Sequence, residues 1–326
     1  MKHSVVNLAE PAFAAAASCR LRLTPMFNEF PSDAEIALFP EVRYLVACFL
    51  TEEAGLAKRH WPKLLRKAYP ELGQDNLETM LAKLVVRAYI IRDKMLSTNP
   101  VGLHEFIEIC AGQGNLTLQC LRTQLYGLAF DRLYSSDHDM TTGAGLRCML
   151  DALAECTAEA GVWFGTKCSP FVSLCRNNHK RALSNGFWGM RHKPFVRTGN
   201  LQMVVTSLLM AVVFWSGANP VLEQPVSSVM PKCEPLASVL ASINAKKHTV
   251  WHGAYGGESP KPLQLWSPED LSMLQRGRPK IRLSTLCSHR GKRYSGRKKA
   301  LQKSQAYSLE FGQAVAGVFK TWLKKA

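Results

Sequence analysis

The segment that most restricts the fold is Phe106-Ile107-Glu108-Ile109-Cys110-Ala111-Gly112-Gln113-Gly114-Asn115. An apolar run of strand type meets two glycines, and a helical pattern opens at Leu116. Glycines at such a junction let the backbone pass close to a ligand and leave amide groups free at a helix start. The expected strand spans His104 to Ile109. Further strands are expected over Leu125–Phe130, ending at Asp131, over Gly161–Gly165, and ending at Val221–Leu222. Helical stretches separate them, the clearest over Leu201–Trp215. Strand and helix in alternation make the expected fold α/β: a mainly parallel, Rossmann-like sheet with helices on both faces. A dinucleotide fingerprint needs a third glycine, and Thr117 stands there instead, so Gly-x-Gly-x-x-Gly is incomplete.

The chain divides at about residue 100. Pro25, Pro31 and Pro40 punctuate an irregular start. Helical spacing follows in Val42, Leu45, Val46 and Phe49, and again in Leu77, Leu81, Leu84 and Val85. Residues 1–100 are therefore expected to form an N-terminal helical accessory region, and residues 101–326 the α/β domain with a basic C-terminal segment. The stretch Lys58–Lys67 is either a phosphate-contacting helix pair or a solvated face.

Charge narrows the partners. Lys and Arg number 41 against 25 Asp and Glu, a net +16. Such a field draws polyanions, nucleic acid first and an anionic membrane surface second. Eleven Lys/Arg and no acid lie between Leu271 and Leu309. Arg276-Gly277-Arg278-Pro279-Lys280 in that stretch is either a surface loop of the α/β domain or, by composition, a minor-groove hook, and Arg297, Lys298 and Lys299 form a second basic cluster. These six cations are the expected nucleic-acid contacts, with DNA favoured over RNA. Arg176, His179, Lys180, Arg181 and Arg191 are expected on a loop, as phosphate contacts or as solvated charges. The ten cysteines include no Cys-x-x-Cys pair and no zinc spacing, which points to reduced thiols, an intracellular setting and no metal. Nuclear or cytoplasmic residence fits, and Ala12–Ala17 followed by Arg20 and Arg22 leaves an organelle import peptide open. The longest apolar run, Met203–Trp215, suits a buried helix and not a membrane span.

Glu108, four residues before Gly112, gives an acid-x-x-x-Gly-x-Gly arrangement that resembles motif I of S-adenosylmethionine-dependent methyltransferases of class I. The resemblance implies that Glu108, Cys110, Ala111, Gly112, Gln113 and Gly114 cradle S-adenosylmethionine. It implies further that Asp131, seventeen residues after Gly114, accepts the ribose hydroxyls, and that Asp139 and Met140 approach the adenine. Gly165-Thr166-Lys167-Cys168-Ser169-Pro170, then Val221-Leu222-Glu223-Gln224-Pro225, then Phe311-Gly312-Gln313-Ala314-Val315 follow in the order of the DNA cytosine-C5 methyltransferase motifs. On that resemblance Cys168 attacks the base, Glu223 holds it and Thr166 lines the cofactor site. Lys167 is expected to lower the Cys168 pKa. This chain departs from the family pattern in having Lys167 before the cysteine, Ser169 after it, and Pro260-Lys261-Pro262 in place of Arg-x-Arg. Only about forty residues separate Trp266 from Tyr307, too few for a large target-recognition domain. The sequence also resembles methyltransferase-like proteins of algae and protists in Leu222–Ser228, Gly253-Ala254-Tyr255-Gly256, Lys261-Pro262 and Ser304-Gln305-Ala306-Tyr307. The alternative reading is a methyltransferase-like fold without turnover that binds nucleic acid or a partner.

Overall fold

A computed structural model describes residues 103–257, 260–280 and 306–324, together with Lys83. The expected accessory region 1–100, Lys83 aside, and the cluster Arg297, Lys298 and Lys299 lie outside the described residues. What is described is an α/β fold around a six-stranded sheet in the order β2-β1-β3-β4-β6-β5. The strands are β1 (His104–Ile109), β2 (Gly127–Phe130), β3 (Cys156–Phe164), β4 (Asn219–Pro225), β5 (Lys246–Trp251) and β6 (Pro262–Ser267). The first four are mutually parallel, whereas β6 runs antiparallel to both of its neighbours. The sheet is therefore mixed, mainly parallel as the alternation of strands and helices predicts, with β6 alone reversed.

Helices cover both faces. We number the longer ones α1 (Asn115–Arg122), α2 (Gly143–Ala154), α3 (Pro194–Trp215), α4 (Glu234–Ser242) and α5 (Leu309–Leu323). Alternation along each strand sorts the side chains between two cores. Ile107, Ile109, Val162, Phe164 and Leu222 face α2, α3 and α4. Phe106, Trp163, Val221, Val250, Leu263 and Leu265 face α1 and α5. Helix α3 is apolar on every side, begins with Pro194 at its first turn, and is mostly buried within the fold. By length and composition it could cross a membrane; its burial explains the same composition as that of a core helix. Helix α5 is amphipathic. Ser308 caps it by accepting the Phe311 N–H at 3.2 Å, and Phe311, Val315, Phe319 and Trp322 make its buried stripe. Phe319 lies so close to β3 that a Cβ on Gly161 would come within 2.3 Å of its ring.

Strand β3 starts five residues earlier than its apolar pattern suggested. Between His104 and Phe106 of β1 its register shifts, pairing His104 with Cys156 but Phe106 with Gly161. The extra residues form a bulge in which Glu159 takes a left-handed φ of 63° and donates its N–H to the Gly217 carbonyl. The regular part after the bulge matches the expected Gly161 start.

This topology fixes where a ligand can sit. Strand β1 is flanked by β2 on one side and β3 on the other, so the chain reverses its winding direction there. Loops at the carboxyl ends of β1 and β3 diverge at that switch point, where an open α/β sheet is expected to form a crevice.

Candidate active site

The glycine turn leaves β1 at the crevice. Cys110, Gly112 and Gly114 take φ values of 63°, 58° and 68°, three left-handed residues in alternation. Glycine accommodates that conformation freely, while Cys110 holds it under strain, as residues at functional turns often do. A Cβ on Gly112 would meet no atom within 4 Å, so this glycine faces open space; one on Gly114 would lie 2.9 Å from the Tyr134 hydroxyl. Helix α1 then starts with no side-chain cap and no acid in its first turn. Its positive end is met from beneath by the Glu108 carboxylate, which accepts the first-turn Thr117 N–H.

Acids surround this turn. Glu108, fully buried beneath it, accepts the Thr117 N–H at 2.9 Å and the Thr117 hydroxyl on Oε2. Its other oxygen, Oε1, has no partner. Burial pushes the Glu108 pKa up to about 7; the Thr117 hydrogen bonds oppose the rise, and the charge of Asp131 adds to it. Asp131, just past β2, accepts the Gly112 N–H on Oδ2 and the Leu133 N–H on Oδ1, both at 2.8 Å. Its geometry fastens the glycine turn to β2, and one lone pair on each oxygen remains for a ligand. Asp139 accepts the N–H and hydroxyl of Thr141 on one oxygen, Oδ1. Met140 is buried in the core with its sulfur 3.7 Å from the Cys110 thiol, so it packs there and does not line an open site. Cys110 also holds its proton, its pKa raised to about 12 by burial of the sulfur. Ala111 is buried and Gln113 exposed.

The second half of the site lies on β3 and β4. Their register places Gly165 beside Cys110 and Glu223, on the same face as Glu108 and Trp163. Tyr307 fills the space above Gly165. Its hydroxyl donates to Glu223 Oε2 at 2.9 Å and accepts the Trp163 indole N–H at 3.0 Å, and its carbonyl accepts Asn115 Nδ2 at 2.6 Å. A Cβ on Gly165 would lie 3.0 Å from the Cys110 carbonyl and 3.2 Å from that hydroxyl, so glycine leaves the room the tyrosine uses. Glu223 Oε1 is buried without a partner, like Glu108 Oε1. Two carboxylates thus each present one unpaired oxygen, with Tyr307 between them.

Cys168 sits half-buried on the loop after β3. Its thiol pKa is pushed up to about 11, first by burial and then by the charge of Glu223, against a lowering by Lys261. Sequence reasoning expected Lys167 to lower this pKa; the cation that does so is Lys261, and burial outweighs it. Thr166 is buried, shares a 2.8 Å hydrogen bond with Thr206, and has its carbonyl bound by the Gln224 amide at 2.7 Å. Gln224 in turn accepts the Ser228 hydroxyl at 2.8 Å. Thr166 therefore locks the Cys168 loop to the end of β4 and does not open toward a cofactor.

The basic residues expected on a phosphate-binding loop divide. Arg181 turns inward, donating to the carbonyls of Pro170, Phe187 and Val196 and to Asn200, with its guanidinium 4.0 Å from the centre of the Phe171 ring. His179 is also buried, donating from Nε2 to the Val172 carbonyl and accepting the Arg181 N–H on Nδ1. Neither is available to phosphate, whereas Arg176 and Lys180 are exposed. Arg276 pairs with Glu310 and the Ala254 carbonyl and lies over Tyr255, which ties it to the fold and takes it out of a free minor-groove hook. Arg278 and Lys280 stay exposed. Among the described residues, no group of three His, Cys, Asp or Glu side chains could hold a metal ion.

Tyr307, Asn115, Thr117 and Gln224 belong to the site, and sequence reasoning gave none of them a role. Tyr307 and Gln224 stood within quoted motifs, but nothing local links Tyr307 to a carboxylate 84 positions away.

These features define an α/β protein with an acid-lined crevice at the switch point of its sheet. No family model, no curated protein and no solved structure matches the chain.

Proposed function

We propose that the chain is an S-adenosylmethionine-dependent methyltransferase that acts on nucleic acid. One observation carries the reading: Glu108 and Asp131 brace an open glycine turn, with Glu223 held by Tyr307 nearby, in a chain of net charge +16. A pyrophosphate would be repelled there, whereas a ligand with a positive centre and a ribose diol fits those acceptors. The space beside Gly112 is the seat for such a ligand, with the Glu108 carboxyl buried beneath the turn. The sheet lends support as well, since the resemblance implies a Rossmann-like sheet with helices on both faces. Residence inside the cell and no membrane partner complete the reading.

S-adenosylmethionine, when bound, supplies an electrophilic methyl group on a sulfonium. The residues of this chain do the rest. Glu108 and Asp131 hold the turn and offer negative charge to the cation. Glu223 offers Oε1 to an exocyclic amine or a protonated ring nitrogen of the acceptor, with Oε2 fixed by Tyr307. If the acceptor is cytosine, Cys168 adds to C6 as a thiolate, which makes C5 nucleophilic. At a pKa of about 11, only a minute fraction of the thiol is ionised at neutral pH. That value already includes the lowering by Lys261, and the phosphates of an arriving strand would raise it further, so the thiol is a weak nucleophile at neutral pH.

That raised thiol pKa, with Pro260-Lys261-Pro262 where the cytosine enzymes have Arg-x-Arg, favours a second reading. In it the fold binds nucleic acid or a partner without turnover. Transfer of labelled methyl groups to single- and double-stranded DNA and RNA separates the two. Activity lost in Cys168→Ser with binding intact supports the cytosine-C5 reaction. Full activity in that variant refutes the covalent step, and no transfer by the wild type to any acceptor refutes the enzyme.

A further inference from the structure

Beyond the crevice, β5 and β6 carry a face that is largely uncovered among the described residues, with Trp266 packed in part against the core of α2, α3 and α4. By alternation, His248, Val250, Leu263 and Leu265 turn toward the α5 side, where all four are buried. The opposite face carries three cross-strand rows: Lys247 with Trp266, Thr249 with Gln264, and Trp251 with Pro262. Lys247 and Thr249 are exposed and the other four half-buried. Among the described residues the helices of that layer pack mainly on β1 to β4, and Lys247 and Thr249 at this end of the sheet are exposed.

The rows continue toward the site. Trp266 pairs with Leu222, and Gln264 with Gln224, the residue that anchors the Cys168 loop. Val226, 43% exposed, extends the Trp251–Pro262 row by donating its N–H to the Pro262 carbonyl at 3.2 Å. Lys261, next to Pro262, is the cation whose charge reaches the Cys168 thiol. The face thus joins the loop that carries the candidate nucleophile.

Its chemistry is aromatic and cationic. The Lys247 ammonium lies 5.8 Å from the Trp266 ring centre, and the Arg278 guanidinium 5.2 Å from that of Trp251. Lys246, which alternation turns to the His248 side, and Lys280 are exposed as well. The nearest described carboxylates in sequence, Glu269 and Asp270, follow the far end of β6, and Asp270 lies 4.0 Å from His248 on the opposite face. Polar Thr249 and Gln264 between the aromatic rows make this a poor seat for an apolar protein surface. They suit the hydrogen-bonding edges of bases.

We propose that this face of β5 and β6 is a docking platform for single-stranded nucleic acid that leads the acceptor strand to the loop carrying Cys168. Unpaired bases stack on indole rings and on guanidinium planes, and phosphates follow the lysines. A duplex keeps its base faces stacked inside and cannot use these surfaces. The platform rests on the nucleic-acid part of the function proposed above, and its test needs no cofactor.

Fluorescence anisotropy on the full chain tests it with a labelled strand of about a dozen nucleotides, near the span one aromatic platform covers. The strand should bind more tightly than its duplex. Trp251→Leu should weaken it roughly tenfold, while Trp251→Phe retains most of the affinity. Lys247→Gln should lower the salt slope by about one. Thr249→Glu, at an exposed position that folding does not depend on, should weaken binding as well. Wild-type affinity in Trp251→Leu and Thr249→Glu would overturn the platform, as would a preference for duplex. Displacement by polyglutamate as effective as by a single strand would also overturn it, because charge alone would then explain binding. Strand binding that follows these variants in a chain that fails to bind S-adenosylmethionine would uphold the platform and remove methyl transfer.

Discussion

Replacing Glu108 with glutamine should make the fold more stable at neutral pH and the site worse. Burial holds this carboxyl at about 7 in the folded chain, against an ordinary value of 4.5. A raised folded pKa means that the native state keeps a proton the unfolded chain has released. The associated stability is present below about pH 4.5 and is lost as pH rises to about 7. Over that window the loss amounts to about 3 kcal/mol, since each pKa unit corresponds to about 1.4 kcal/mol. Glutamine does not titrate, and its side-chain oxygen can accept both Thr117 hydrogen bonds that Glu108 Oε2 accepts. Urea denaturation of both proteins from pH 4.5 to 8 should therefore give curves that coincide at the acid end. They should diverge to about 3 kcal/mol in favour of the variant above pH 7. Curves that stay parallel would refute the assignment of this cost to Glu108. The same ionisation serves a cationic ligand, so S-adenosylmethionine affinity should rise through pH 7 in the wild type and stay low in the variant.

Other perturbations probe the remaining parts of the site. Tyr307→Phe removes the donor to Glu223 and the acceptor for Trp163, and should cost about 1.5–3 kcal/mol by chemical denaturation. A fully stable variant would mean that this hydroxyl ties nothing down. Gly161→Ala drives a methyl group into the Phe319 ring and should destabilise the fold by roughly 1–3 kcal/mol. Unchanged stability would contradict the close packing of α5 on β3. Alkylation of Cys168 by iodoacetamide, followed by mass spectrometry, should be slow at pH 8 and accelerate toward its pKa of about 11. Glu223→Gln should speed it at a given pH by removing the charge that raises that pKa, and an unchanged rate would show that the two groups do not interact.

How much of this was legible beforehand depended on how local each signal was. Strand β1 was read to the residue, because His104–Ile109 combines a strand-type apolar run with a glycine stop. The start of β3 was missed because the bulge around Glu159 interrupts its alternation, and only the stretch from Gly161 reads as regular strand. Strands β5 and β6 do alternate, in Lys247-His248-Thr249-Val250 and in Leu263-Gln264-Leu265-Trp266, yet each is short and their antiparallel pairing lies nowhere in the sequence. In the site, Glu108, Gly112, Gly114 and Asp131 meet as their spacing suggested, because a strand–turn–helix unit brings nearby residues together. Tyr307 could not be foreseen. It reaches Asn115 across 192 positions and Glu223 across 84, a proximity made only when α5 packs on the sheet. Thr166, Met140 and Arg181 show the converse: motif position or charge suggested a ligand role, and burial gives each a packing or bonding role instead.

The most direct test is titration calorimetry of S-adenosylmethionine against the full chain, with Gly112→Asp alongside. Aspartate tolerates the left-handed φ of 58° better than most residues, and its carboxylate would enter the space that Gly112 leaves open. The account predicts binding by the wild type that strengthens through pH 7 and is lost in the variant. A folded wild type that binds no S-adenosylmethionine, or a variant that binds it equally well, would contradict the assignment of this crevice to the cofactor.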